Sequence, residues 1–111
     1  MELIIVDDNS TDRSRQIIEA CQAKDSRVRP FFHTKNCGIT RSANDALKND
    51  TSKYLIFIGS DDAWLPNKLE KQLSVMESNE DKIFWSEGQI VDSSRILTGQ
   101  VTTEFLYSLS R

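Results

Sequence analysis

A chain of 111 residues with a net charge of −3, from 17 acidic against 14 basic side chains, is the size of one domain and lacks the basic surface of a nucleic-acid binder. Its 38% hydrophobic and 28% charged residues belong to a folded globular protein and exclude intrinsic disorder. No apolar run approaches the ~20 residues that span a bilayer, and no signal-peptide pattern opens the sequence, so neither a membrane span nor a secretory leader is expected.

Leu3-Ile4-Ile5-Val6 is a short apolar run rich in β-branched residues, the pattern of a strand covered on both faces in a parallel sheet. It breaks at Asp7-Asp8-Asn9-Ser10. Ser10, Thr11 and Asp12 are N-cap residues for a helix in which Ser14, Ile17, Ile18 and Cys21 share a face as far as Lys24. Val28 to His33 reads as a second strand, and Pro30, with no N–H to give, confines it to a sheet edge. Thr34-Lys35-Asn36-Cys37-Gly38 is a turn into a second helix with Ile39, Ala43, Ala46 and Leu47 on one face, ended by Asn49-Asp50-Thr51-Ser52. Cys21 and Cys37 lack the spacing of a zinc site and read as free thiols of a cytoplasmic protein.

Tyr54-Leu55-Ile56-Phe57-Ile58 is the strongest buried-strand signal, and it runs into a second acidic turn, Gly59-Ser60-Asp61-Asp62. Pro66 suits the first turn of a third helix, with Leu65, Leu69, Leu73 and Met76 at helical spacing. Ile83-Phe84-Trp85 and Gln89-Ile90-Val91 read as two short strands, and the tail from Thr103 as a helix carrying Phe105, Leu106 and Leu109. Strands alternating with helices predict an open α/β sheet, in which ligands bind beyond the carboxyl ends of the strands. Both acidic turns fall at such ends.

Four carboxylates gathered at one sheet edge repel unless a cation or hydrogen-bond donors offset them. Mg²⁺ or Mn²⁺ is the natural partner, because these hard ions take one or two protein carboxylates together with a substrate diphosphate. The plain alternative is that Asp7 and its neighbours only cap a helix.

IIVDDNSTD at 4–12, NCGITRSAN at 36–44 and YLIFIGSDDAWLPNKLEKQ at 54–72 together resemble, in order and spacing, the nucleotide-binding region of family 2 glycosyltransferases. KIFWSEGQIVDSS at 82–94 looks like the family's next pair of strands. The resemblance implies a partial, single GT-A domain over 1–111, a three-layer α/β sandwich with a mostly parallel sheet. It implies inverting transfer of a sugar from a nucleotide diphosphate donor, with UDP the expected nucleotide. The acceptor would be a carbohydrate or a lipid-linked hydroxyl, as in polysaccharide biosynthesis. In the family the acidic general base and the acceptor region lie beyond the segment matched, so the isolated chain is expected to bind donor without completing catalysis.

Residue by residue, the resemblance assigns Asp7-Asp8 to the nucleobase, without deciding which of the two faces it. Asp61 would meet ribose hydroxyls and Asp62 would hold the metal. Gly59 stands where the family's D-x-D motif usually has its first acid. Asn36, Gly38 and Asn44 match the family's N-x-G and following Asn, which contact the nucleotide; as a plain alternative they are a helix cap and a surface amide. Arg41 could meet a phosphate, although a solvated arginine is the commoner reading. His33, the only histidine, reads as structural or exposed, and Trp64 and Trp85 as core or rim.

Two rival readings are a non-catalytic nucleotide-sugar-binding fragment and a receiver-like signalling domain. The receiver reading lacks its Lys-Pro signature here. In the family one more strand, preceding the Leu3–Val6 segment, separates it from the Tyr54–Ile58 segment. These two are therefore expected to pair directly, the alternative being a strand from a second copy of the chain and a homo-oligomer built on exposed strand edges.

Overall fold

The structure, a computed structural model, describes residues 1–79 and 84–106. The chain divides into two units, Met1–Thr51 and Ser52–Arg111. The first is a β-α-β-α run of β1 (Leu3–Asp7), α1 (Ser14–Lys24), β2 (Val28–Phe32) and α2 (Ile39–Asn49). β1 and β2 pair in parallel from Leu3 opposite Val28 to Asp7 opposite Phe32. The ladder continues past both ends, with the Leu3 N–H donating to the Arg27 carbonyl at 2.9 Å and the His33 N–H to the Asp7 carbonyl at 2.9 Å. Among the described residues β1 is the only ladder partner of β2, so Pro30, which has no N–H, sits on an edge strand.

The N-cap of helix α1 is Arg13, with no side-chain cap, and not Ser10, Thr11 or Asp12 as expected. Asp12 Oδ1 accepts the Ser14 N–H at 2.8 Å from just before it, and the helix ends with the Asp25 N–H on the Cys21 carbonyl at 3.0 Å. It packs on β2 and β1, and the Arg15 guanidinium lies 4.5 Å from the centroid of the Phe32 ring. Only Ser14 and Ile18 of its expected apolar face are half-buried; Ile17 and Cys21 are exposed, because a two-stranded sheet covers a narrower strip than the sequence provides. Helix α2 packs on β1. Ala43, Ala46 and Leu47 are half-buried as expected, whereas Ile39 in its first turn is 87% exposed. Cys21 and Cys37 are free, exposed thiols.

The second unit contains α3 (Lys68–Glu77), β3 (Phe84–Val91) and β4 (Leu97–Leu106). Pro66 lies in the turn just before α3, where the Lys68 N–H donates to the Leu65 carbonyl at 3.0 Å. Met76 is 1% exposed and Leu69 half-buried, while Leu65 and Leu73 are exposed.

Two strand expectations fail here. Tyr54–Ile58 forms no strand: Tyr54, Leu55 and Ile56 are half-buried, and Phe57 and Ile58 are exposed. A strand exists only where its backbone groups find a ladder, and composition cannot supply one. The expected pairing of this run with β1 is not found among the described residues, where β1 pairs with β2 and Tyr54–Ile58 joins no ladder.

The tail from Thr103 is not a helix, because residues 97–106 are β4, antiparallel to β3 from Phe84 opposite Leu106 to Val91 opposite Leu97. The connecting turn is organised by Asp92, whose Oδ1 accepts the N–H groups of Ser94 at 2.8 Å and Ile96 at 3.0 Å. Ile83 and Leu109 lie outside the described residues, as does the side chain of Trp85. The α/β class is thus present, with one parallel and one antiparallel pair. Among the described residues no helix is long and apolar enough to cross a membrane.

Candidate functional site

The carboxyl end of β1 delivers Asp7 and Asp8 into a tight turn, and the two side chains do different work. Asp7 is 7% exposed and folds back on its own turn, its Oδ2 accepting the Ser10 N–H at 3.2 Å. Asn9 takes a left-handed conformation, φ 65°, which asparagine tolerates better than most residues. Asp8 instead reaches across to the loop after β2. Its Oδ1 accepts the Cys37 N–H at 2.7 Å and its Oδ2 the Gly38 N–H at 2.7 Å.

Gly38 caps α2 at φ 86°, ψ 162°, a region open only to glycine, and in this pose its N–H points at Asp8. A Cβ built on Gly38 would meet nothing within 4 Å, so substitution there is opposed by the backbone alone. Gly38→Ala is expected to destabilise the first unit by about 1 to 3 kcal/mol. Urea denaturation checks this; an unchanged midpoint would show that the turn tolerates a side chain.

His33 completes the arrangement. Its Nδ1 lies 2.7 Å from Asp8 Oδ1 and its Nε2 3.1 Å from Asp45 Oδ2. Arg41 Nε donates to the same Asp45 oxygen at 2.8 Å, and Lys48 Nζ stands 3.8 Å from its Oδ1. Ionised carboxylates only accept, so an imidazole bonded to one through each nitrogen must carry both protons. The charges agree. The hydrogen bond with Asp8, aided by Asp45 and opposed by burial, raises the pKa of His33. Asp8 is held below the ordinary carboxylate range, first by His33 and then by the Cys37 N–H; Asp45 is lowered first by Arg41 and then by His33.

The parallel register foreshadowed this clasp: Asp7 faces Phe32, so the next residue of each strand brings Asp8 beside His33. Asp45 lies one α2 turn beyond Arg41. Neither His33 nor Asp45 was expected in the site from the sequence.

Asp8, His33 and Cys37 each offer a ligand atom within 4.8 Å of the others. However, two atoms bound to one zinc ion at about 2.0 Å in tetrahedral geometry stand about 3.3 Å apart. The 2.7 Å separation of His33 Nδ1 and Asp8 Oδ1 is that of a hydrogen bond.

The second acidic turn belongs to the other unit. The Asp62 N–H closes it on the Gly59 carbonyl at 3.2 Å. A Cβ on Gly59 would stand 2.8 Å from Asp62 Oδ2 and 3.0 Å from Asp61 Oδ1, so both carboxylates converge over the bare side of this glycine. Both are exposed, and an all-oxygen pair of this kind suits a hard divalent cation. The absent acid at position 59 and the convergence of Asp61 and Asp62 are therefore linked, since a side chain there would push them aside.

The structure thus joins Asp8 to Gly38 directly and to Arg41 through His33 and Asp45. Asn36 and Asn44 are exposed, and among the described residues neither makes a side-chain hydrogen bond. Trp64 is half-buried beneath Lys68, whose Nζ is 5.1 Å from the ring centroid, as a rim residue would be.

Comparison with known proteins gives this geometry a family. The chain is 31% identical over 96 residues to the UDP-Glc:alpha-D-GlcNAc-diphosphoundecaprenol beta-1,3-glucosyltransferase WfgD of Escherichia coli, covering 86% of this chain and 37% of that protein. It is 34% identical over 100 residues to WfaP, a transferase of the same description from Escherichia coli, covering 89% and 38%. An uncharacterized glycosyltransferase of Haemophilus influenzae is 43% identical over 79 residues, covering 71% and 32%. The chain therefore spans less than two fifths of the length of these curated relatives, and 13% of a longer glycosyltransferase of Rickettsia felis. No solved structure matches it significantly. The profile of glycosyl transferase family 2 matches residues 1–108, a span that includes the acidic and glycine turns described above, and the chain belongs to that family of enzymes.

Proposed function

We propose that this chain is the nucleotide-sugar-binding part of an inverting GT-A glycosyltransferase, built as a single domain that takes a UDP-sugar and a divalent cation. The observation that carries the reading is the convergence of Asp61 and Asp62 over Gly59. The names of WfgD and WfaP support UDP as the nucleotide and a diphosphoundecaprenol-linked sugar as the acceptor class. The exposed free thiols suit a reducing compartment such as the cytoplasm.

On this reading Asp62 holds Mg²⁺ or Mn²⁺ and Asp61 accepts hydrogen bonds from ribose hydroxyls. The ion, when bound, neutralises charge on the diphosphate leaving group. The nucleobase falls to Asp8. A carboxylate offers about four acceptor sites, and His33, Cys37 and Gly38 use three, which leaves one on Oδ2 for a base N–H. Asp7, turned onto Ser10, shapes the turn. Gly38 lets the backbone approach the nucleotide, with Asn36 and Asn44 exposed beside it. Arg41 has its Nε committed to Asp45 and would meet a phosphate through its terminal nitrogens.

Calorimetric titration with UDP and other nucleoside diphosphates, with and without Mn²⁺, tests this. Mn²⁺ is expected to tighten UDP binding, and ligand at ten times its Kd to stabilise the fold by about 1.4 kcal/mol. Asp62→Ala should abolish the Mn²⁺ effect. A UDP affinity indifferent to Mn²⁺, or a Mn²⁺ effect that survives Asp62→Ala, would remove the metal assignment.

A further inference from the structure

We propose that His33 is a positioning residue of the nucleotide site: bonded through both ring nitrogens to Asp8 and Asp45, it holds the 36–38 turn in the form that receives the nucleotide. The inference rests on the donor-binding reading above and assigns a role to a residue outside its motifs. Asp8 is the only side chain that touches the Cys37 and Gly38 N–H groups, and His33 is its one side-chain partner among the described residues. Asp45, by contrast, is shared with Arg41 and Lys48. The clasp is sheltered, with side-chain exposures of 14% for His33, 22% for Asp8 and 20% for Asp45, so solvent screens it less than a surface pair.

The charged and titratable groups around the ring are Asp8 from the turn after β1, Cys37 from the loop, and Arg41, Asp45 and Lys48 from α2. A neutral ring keeps one donor nitrogen and turns a lone pair toward a carboxylate, so one of the two bonds is lost. If the closed clasp is the form that takes nucleotide, the proton on His33 and the nucleotide favour each other, and by linkage each raises the affinity of the other by the same factor.

His33 is the only histidine, so one pair of imidazole ¹⁵N resonances reports it without assignment. The expected result is a titration midpoint above the ordinary histidine value, with both ring nitrogens protonated below it, that rises further at saturating UDP. UDP affinity should fall by about fivefold or more as pH rises through that midpoint. His33→Gln should bind UDP weakly and without that pH dependence. The resonance experiment uses the unaltered chain and does not depend on the variant's folding. If UDP binds but leaves the His33 midpoint unmoved, or binds His33→Gln as it binds the parent, the positioning role is overturned while the donor reading stands. If UDP binds at no pH, the donor reading falls and takes this inference with it.

Discussion

Asp8→Asn is expected to weaken UDP binding by about tenfold or more and to return His33 toward an ordinary histidine titration. The change keeps the shape of the side chain and removes half of its acceptors. Oδ1 of Asp8 takes two donors and Oδ2 a third, so an amide turned either way sets its NH₂ group against a backbone N–H. The His33 proton loses its larger support as well. Asp7→Asn provides the control, because the amide oxygen can still accept the Ser10 N–H, and a smaller loss is expected there. Calorimetry and the histidine resonance read the two variants together. Asp8→Asn with parental affinity and an unshifted His33 would show that the clasp does not form.

The same groups set the direction of the pH dependence. Asp8 and Asp45 are lowered, so the stability they contribute is present above the unfolded carboxylate range and is lost as pH falls through their lowered values. His33 is raised, so its contribution is full below the unfolded histidine value and is lost as pH rises through the raised one. The clasp is complete only between these limits.

Met76→Ala should give the largest loss of stability, about 2 to 5 kcal/mol, because Met76 is the largest fully buried side chain among the described residues and its truncation leaves both a transfer cost and a cavity. In a unit of this size that corresponds to a fall in Tm of about 10 °C or more. Leu73→Ala, three residues earlier on α3 but at a position 44% exposed, is expected to cost far less. Thermal unfolding followed by circular dichroism distinguishes them. Equal losses would mean that the interior of the second unit is not organised around Met76.

The sequence by itself determined the elements whose causes are local. β1, α1, β2, α2 and α3 stand where apolar periodicity, the edge proline and the turn residues place them, because these signals act within a few residues of the structure they produce. The three motifs also sufficed to identify the family. Tertiary structure decided the rest. Tyr54–Ile58 has the composition of a strand without a ladder, whereas 97–106 found one against β3 although the apolar spacing of Phe105, Leu106 and Leu109 reads as helical. The roles of Asp7 and Asp8, identical in the sequence, part only when the register of β1 against β2 sets Asp8 beside His33. Asp45 then closes the other nitrogen from a helix twelve residues further along. Hydrogen bonds between residues so far apart in the chain leave no periodic trace in it, so only the folded backbone could show that the sole histidine joins the two carboxylates.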